Sequence, residues 1–344
     1  MPIAHRFITF AIAASVPTFA APASASEGVR FSHHDWEIAC DNTLTCRAAG
    51  YQREDDERVV SLLLTRRAGA REGLSGQLQL GAPDGSPGVS SATLRIGDRS
   101  HGTLRFDEAS DVAALSPAQV TALVAALRRD GGIRVDAGEQ GSWSLSDRGA
   151  SAVFLKMDEV QGRLGTPSAL VRRGDGDETG VPAPVPAPVI RVPGLVPDRD
   201  GDAAIARDPA LLAELRRTVD DEDCAHIGEG GAQERLVVTR LDASSLLVTT
   251  TCWMAAYNVG EGFWVINDQA PYAPRIVTTS ASSFEDGMIQ ALHKGRGLGD
   301  CWSSRSWAWN GREFVLAGAG GTDLCRGVPG GAWDLPTYVS EIVH

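Results

Sequence analysis

Short apolar runs rich in β-branched residues, broken by Gly, Asp and Pro, dominate the first half of the chain. "DWEIAC", "VVSLLLT", "GQLQLG", "ATLRIG" and "HGTLRF" each have the length and composition of a strand. Two stretches switch to the helical period. In "SPAQVTALVAALRRD", Ser116 precedes Pro117, and Gln119 follows at the spacing of a capping box. Val120, Leu123, Val124 and Leu127 then share one face. "ASAVFLKMDEVQGRLG" sets Val153, Met157, Val160 and Leu164 on a second stripe. Both stripes predict core packing, and residues 26–172 are read as one N-terminal α+β domain.

The pattern changes at residue 173. "RRGDGDETGVPAPVPAPVIRVPGLVPDRDGD" carries repeated X-Pro steps, which block helix and sheet and favour an extended spacer. Residues 173–202 are therefore expected to be a linker open to proteases, with the two domains held apart or draped across one another and not fused through a shared sheet. Periodicity resumes in residues 203–344. Asp208 caps a helix begun by Pro209, with Leu211, Leu212 and Leu215 on its buried stripe. The strands "ERLVVTRL", "SLLVTTTCW", "GFWVIND" and "PRIVTTSAS" follow. In "SRSWAWNGREFVLAG", Asn310-Gly311 predicts a two-residue turn that pairs Trp309 with Arg312 and Trp307 with Phe314. Trp307 is expected in the core. Trp309, nearer the tip and partly covered by the Arg312 stem, is a candidate ligand platform with Arg312. The fold class is α+β: two mainly antiparallel β domains with a few helices, joined by a Pro-rich linker.

The N-terminus bears on the compartment. A basic start at His5 and Arg6 precedes the apolar "FITFAIAASV", and Ala23-Ser24-Ala25 forms an A-x-A cleavage site. The run is shorter than the roughly 20 residues of a membrane span. Residues 1–25 are read as a signal peptide, the mature protein as periplasmic or secreted, with no membrane insertion after cleavage. Six cysteines in an exported chain predict three disulfides. Cys40 and Cys46 flank the turn-rich "DNTLT" between two strand-like segments, a hairpin that brings them to bridging distance. The four remaining cysteines leave alternatives open; sequence proximity and strand placement favour Cys224–Cys252 and Cys301–Cys325.

A formal charge of −12, with 44 acidic against 32 basic residues, disfavours nucleic acid as a partner. Catalytic signatures are missing: there is no HExxH, GxSxG, SxxK or Walker loop. "GRGLGD" leads into a cysteine and a strand, so it offers no helix N-terminus to phosphate. Asp198, Asp200 and Asp202 have the alternate spacing of a calcium loop, but Ala203 stands where glycine is needed and Pro209 where the bidentate Glu should be. Whether they bind calcium is open. "DDEDCAH", residues 220–226, gathers four carboxylates that point in different directions, and "HHDW" holds adjacent histidines that face opposite sides of an extended chain. No catalytic residue, metal site or cofactor is assigned.

"DWEIACDNTLTCRAAGYQ", "MDEVQGRLGTPSALVRRG" and "GLGDCWSSRSWAWNGREFVLA…CRG" resemble, in the same order, the bacterial envelope family catalogued as domain of unknown function 1176. The first domain is also weakly similar to the invasion-associated locus B proteins. The resemblance implies export and a two-part β-rich chain, and it implies no established activity. The leading expectation is a non-enzymatic periplasmic binding or interaction protein whose partner is an envelope protein or a glycan; one version is an inhibitor of an envelope hydrolase. The alternatives are a glycan-directed hydrolase using scattered carboxylates, or a purely structural envelope component.

Overall fold

The computed structural model describes residues 26–81, 87–129, 131–229 and 235–344; the expected signal peptide and its cleavage site lie outside them. Strands β1 (Val29–His33), β2 (Trp36–Cys40), β3 (Cys46–Tyr51), β4 (Val59–Arg66) and β5 (Leu74–Gly81) form an antiparallel meander. The chain continues through β6 (Ser91–Ile96), β7 (Arg99–Arg105), β8 (Val112–Ala114), α1 (Pro117–Leu127), β9 (Ile133–Asp136), β10 (Ser142–Leu145) and α2 (Ala150–Val160). β8 adds to the edge of the meander, and β10-β9-β6-β7 make a second sheet. One face of the meander carries Trp36, Ile38, Leu62, Leu64 and Leu78 into a core shared with both helices and the second sheet. Trp36 stacks edge-on to Phe154 of α2 at 5.4 Å and donates its indole N–H to the Ser146 carbonyl at 2.8 Å. Gly50 lies so close beneath that indole that a Cβ there would collide with it.

The apolar runs "WEIAC" and "VVSLLLT" are nearly continuous instead of alternating because the opposite face is covered too. Ala39, Ala49, Tyr51 and Leu63 pack under Leu335, with Leu324 and Trp333 beside it. That cover comes from the C-terminal half.

The predicted capping box is present: the Ser116 hydroxyl accepts from the Gln119 amide, and the Gln119 side chain accepts from the Ser116 amide at 2.9 Å. α2 is shorter than its stripe suggested. It stops at Val160, and Leu164, beyond Gly162 in the left-handed region, is exposed. Hydrogen bonding explains the stop. Asp158, fully buried, accepts from Arg66 at 2.7 Å and from the Leu170 and Val171 amides, which pulls the chain back across the helix end.

The Pro-rich segment is docked, which corrects the reading of an open spacer. Val181, Ile190 and Val192 are buried. β11 (Val189–Arg191) pairs in parallel with the last strand, β21 (Glu341–Val343). Between Pro188 and Pro193 four residues are free of proline, enough for a short edge strand whose amides can donate.

The C-terminal half begins with α3 (Asp202–Ile205), α4 (Pro209–Leu215) and α5 (Ala225–Gly228). β12 (Val237–Arg240), β13 (Ser245–Met254), β14 (Val259–Asn267) and β15 (Arg275–Ala281) form one antiparallel sheet. β16 (Ser283–Glu285), β17 (Met288–Lys294), β18 (Trp302–Trp309), β19 (Phe314–Gly321) and β20 (Pro336–Tyr338) form another. The first of these sheets is buried on both faces. Leu246, Val248, Trp264 and Ile266 meet the helices, while the alternate residues Leu247, Phe263 and Val265 meet Ile289, Ala291 and Trp309 of the second. The disulfides are Cys40–Cys46, Cys224–Cys252 and Cys301–Cys325, as expected.

The β18–β19 hairpin differs from expectation. Its loop spans residues 310–313, Trp309 pairs with Phe314, and Trp307 pairs with Leu316 across a bulge. The Asn310 side chain accepts from the Arg312 and Glu313 amides at 2.9 Å, which closes the longer loop. Trp309 is fully buried and Trp307 only half-buried, the reverse of the predicted depths. The tip is not a free end. The β16–β17 turn covers it, with the Trp309 amide donating to the Gly287 carbonyl at 2.8 Å. Trp309 is therefore no ligand platform, and Arg312 stands exposed without it.

Candidate functional site

The two C-terminal sheets are packed together at the Trp309 end and joined at the other by Asn258, whose side chain exchanges two hydrogen bonds with the Lys294 backbone at 2.9 and 3.0 Å. Register pairs Ile289 with Trp307, Ala291 with Arg305 and His293 with Ser303, so these residues share the face turned toward β15. β15 contributes Val277, Thr278 and Ser280. The third wall is the N-terminal strand, where Glu27, Gly28 and Arg30 are tied down by the Gly28 amide donating to the Thr337 carbonyl at 2.7 Å. The resulting cleft has a volume of about 650 Å³.

Two arginines, each paired with a carboxylate, and several hydroxyls line it. Arg305 pairs with Glu27 at 2.6 Å, and Arg30 pairs with Asp323 at 2.9 Å. Thr278, Ser280 and Ser303 supply hydroxyls, and the half-buried Trp307 supplies an aromatic wall. Trp253 donates to the Ser280 hydroxyl at 3.3 Å and lies against the His293 ring at 5.3 Å. The buried Nε2 of His293 has no hydrogen-bond partner among the described residues. Glu27 is the one carboxylate lining the cleft among those residues, and no cleft hydroxyl there is hydrogen-bonded to an imidazole.

Behind the cleft, Asp323 links it to the junction of the two halves. Its amide donates to Glu37 at 2.6 Å, and the Tyr51 hydroxyl donates to the same carboxyl at 2.7 Å. Burial outweighs both hydrogen bonds and pushes the Glu37 pKa up to about 6. Arg326 reaches Asp35 at 3.0 Å and the Gln52 side chain donates to the Arg326 carbonyl at 2.9 Å. Asn42 and the backbone of Val339 exchange two hydrogen bonds.

The other sequence candidates serve structure. Asp202 makes a two-pronged pair with Arg240 at 2.6 and 2.7 Å, Asp198 accepts from the Arg240 amide, and Asp200 is exposed. The Arg240 guanidinium holds the Asp202 carboxyl down to about 2, so the calcium-like spacing is spent on an ion pair. In "DDEDCAH" the four acids are exposed and Cys224 is in a disulfide. His33 and His34 contact each other at 4.3 Å, while Asp35 is committed to Arg326 and Ser146. In "GRGLGD", Arg296 pairs with Asp300. Among the described residues the one tight cluster of metal-ligating types is Asp300 with Cys301 and Cys325, whose sulfurs are bonded to each other. Among them, too, no helix is long and apolar enough to cross a membrane.

The cleft escaped the sequence reading because its walls come from residues near 27, 278, 293 and 305. The one local hint was a charged residue inside a serine-rich strand, "SSRSWAW". The chain is similar to the uncharacterized protein YpfG of Escherichia coli (strain K12), at 24% identity over 336 residues, covering 89% of this chain and 90% of that protein. No solved structure matches it. The model of the family described as "Protein of unknown function (DUF1176)" matches residues 30–340, a span that runs from Arg30 in the cleft wall to Ser340 beside the last strand. Because that span takes in both halves, the docked segment and most of the cleft, the chain belongs to the DUF1176 family.

Proposed function

We propose that this is an exported, periplasmic or secreted binding protein that takes a hydroxyl-rich anionic ligand, of the class of an acidic glycan fragment, in the cleft between its C-terminal sheets. The observation that carries the reading is the cleft lining: Arg30 and Arg305, whose carboxylate partners an anionic ligand would replace, beside the hydroxyls of Thr278, Ser280 and Ser303 and the Trp307 ring. Guanidinium groups suit a carboxylate or phosphate, hydroxyls suit a sugar edge, and an indole face suits its apolar side. Three disulfides and the A-S-A site support export.

Binding without turnover is favoured over hydrolysis. Glycosidic cleavage ordinarily uses a pair of carboxyl groups flanking the bond. Here Glu27 is the one carboxylate lining the cleft among the described residues, and it is paired with Arg305. The test is incubation with acidic and neutral oligosaccharides, followed by both tryptophan fluorescence and mass analysis of the sugar. A saturable fluorescence change with intact acidic sugar is expected. Shortened sugar products would overturn the non-enzymatic reading.

A further inference from the structure

The outward side of α1, the start of β5 and the chain around residues 168–173 enclose a second pocket of about 460 Å³ in the N-terminal half. Its floor is apolar: Leu74, Val120, Val124 and Leu170 all reach it from the edge of the core. Its charge is opposite to that of the whole chain. Arg66, Arg128 and Arg173 line it against the single acid Glu72, in a protein of formal charge −12. Arg66 is neutralised from behind by Asp158. Arg128 and Arg173 are exposed, and neither makes an ion pair with any described residue. Arg173 is nonetheless held in place, its Nε donating to the Ala169 carbonyl at 2.9 Å.

A further cation stands behind the wall. Arg163 is completely buried and donates to the Ser168 hydroxyl at 2.7 Å and to the Gly69 carbonyl. It makes no ion pair among the described residues, and its Nε has no partner there. Ser168 is part of the pocket wall, but its amide also donates to Glu178 at 2.8 Å, and Glu178, Asp158 and Glu72 offset the Arg163 charge, so the positive character of the pocket rests on Arg128 and Arg173.

We infer that this pocket binds a single-chain anionic amphiphile, the alkyl chain on the apolar floor and the acidic head between Arg128 and Arg173. The volume lies toward the lower end of small-molecule sites, which run from about 300 to 1,000 Å³, and suits one chain better than two. Two guanidinium groups with no carboxylate of their own are free to take a carboxylate or phosphate head.

Isothermal titration of the full chain tests this, with decanoate below its micelle concentration, octyl glucoside as a neutral chain and acetate as a bare head. Saturable one-to-one binding of decanoate is expected, at least about tenfold tighter than either control. Arg128→Glu combined with Arg173→Glu should weaken it by about tenfold or more, as should Thr121→Trp, which fills the pocket from an exposed helix position. Arg305→Ala, in the other cleft, should leave decanoate binding unchanged, which keeps this result separate from the glycan reading. Equal binding of octyl glucoside, unaltered binding in the charge-reversed or pocket-filled chain, or absence of saturable binding would each overturn the inference.

Discussion

Arg326 and Asp35 pair at 3.0 Å across the junction between the two halves, with only 8% and 6% of their side chains exposed. Arg326 also donates to the His34 carbonyl, while Asp35 accepts from the Ser146 hydroxyl at 2.6 Å. Arg326→Ala would leave Asp35 buried without its cation. The expected loss is about 3–5 kcal/mol. Lys156→Ala, which breaks an exposed pair with Glu159, should stay within about 0.5 kcal/mol. Denaturant melts of the two variants beside the parent check the contrast.

Glu37 makes the same junction sensitive to pH. Its folded pKa, about 6, lies above the ordinary 4.5, so the folded state holds the proton more tightly. Its contribution is fully present below about pH 4.5 and is lost as pH rises to about 6, roughly 2 kcal/mol in all. Glu37→Gln should remove that slope. Melts between pH 4 and 7 should show the two curves closest at the acid end, where Glu37 is neutral like the amide, and separating by roughly 2 kcal/mol as pH rises; parallel curves contradict the assignment.

The docked Pro-rich segment predicts slow proteolysis. Residues 173–202 should resist cutting in the parent, because Ile190 and Val192 are buried and β11 is paired. Val192→Asp puts a charge in an apolar site and should release the segment, giving early cleavage between residues 173 and 202. Limited digestion with mass mapping decides it. Rapid cutting of the parent within this span would show that the segment is undocked in solution.

The hairpin tryptophans should now differ in the order set by their burial. Trp309→Ala removes a fully buried ring packed on Phe314 at 5.3 Å and should cost about 3–5 kcal/mol. Trp307→Ala, half-buried, should cost less, about 1–2 kcal/mol, and should weaken cleft binding. Urea melts of both variants test the ranking.

These cases also show what a single sequence makes legible. The Ser116 capping box and the Cys40–Cys46 staple are local, so residues a few positions apart specify them. The helix on Asp208 and Pro209 is legible for the same reason. The depth of Trp309 is not, because the turn that covers it arrives from residues 285–288. The near-continuous burial of β4 likewise depends on Leu335 and Trp333, almost the whole chain away. The cleft is the extreme case: its cations, hydroxyls and indole come from segments whose meeting no local pattern encodes.

Recognition of an anionic, hydroxylated ligand is proposed to rest on Arg305 and its neighbours. The most direct measurement is isothermal titration of the parent and of Arg305→Ala with one acidic oligosaccharide and its neutral counterpart. Saturable binding of the acidic sugar by the parent is expected, weakened about tenfold or more in Arg305→Ala, with the neutral sugar weak in both. Equal affinity of parent and variant for the acidic sugar, or no binding of it at all, would contradict it.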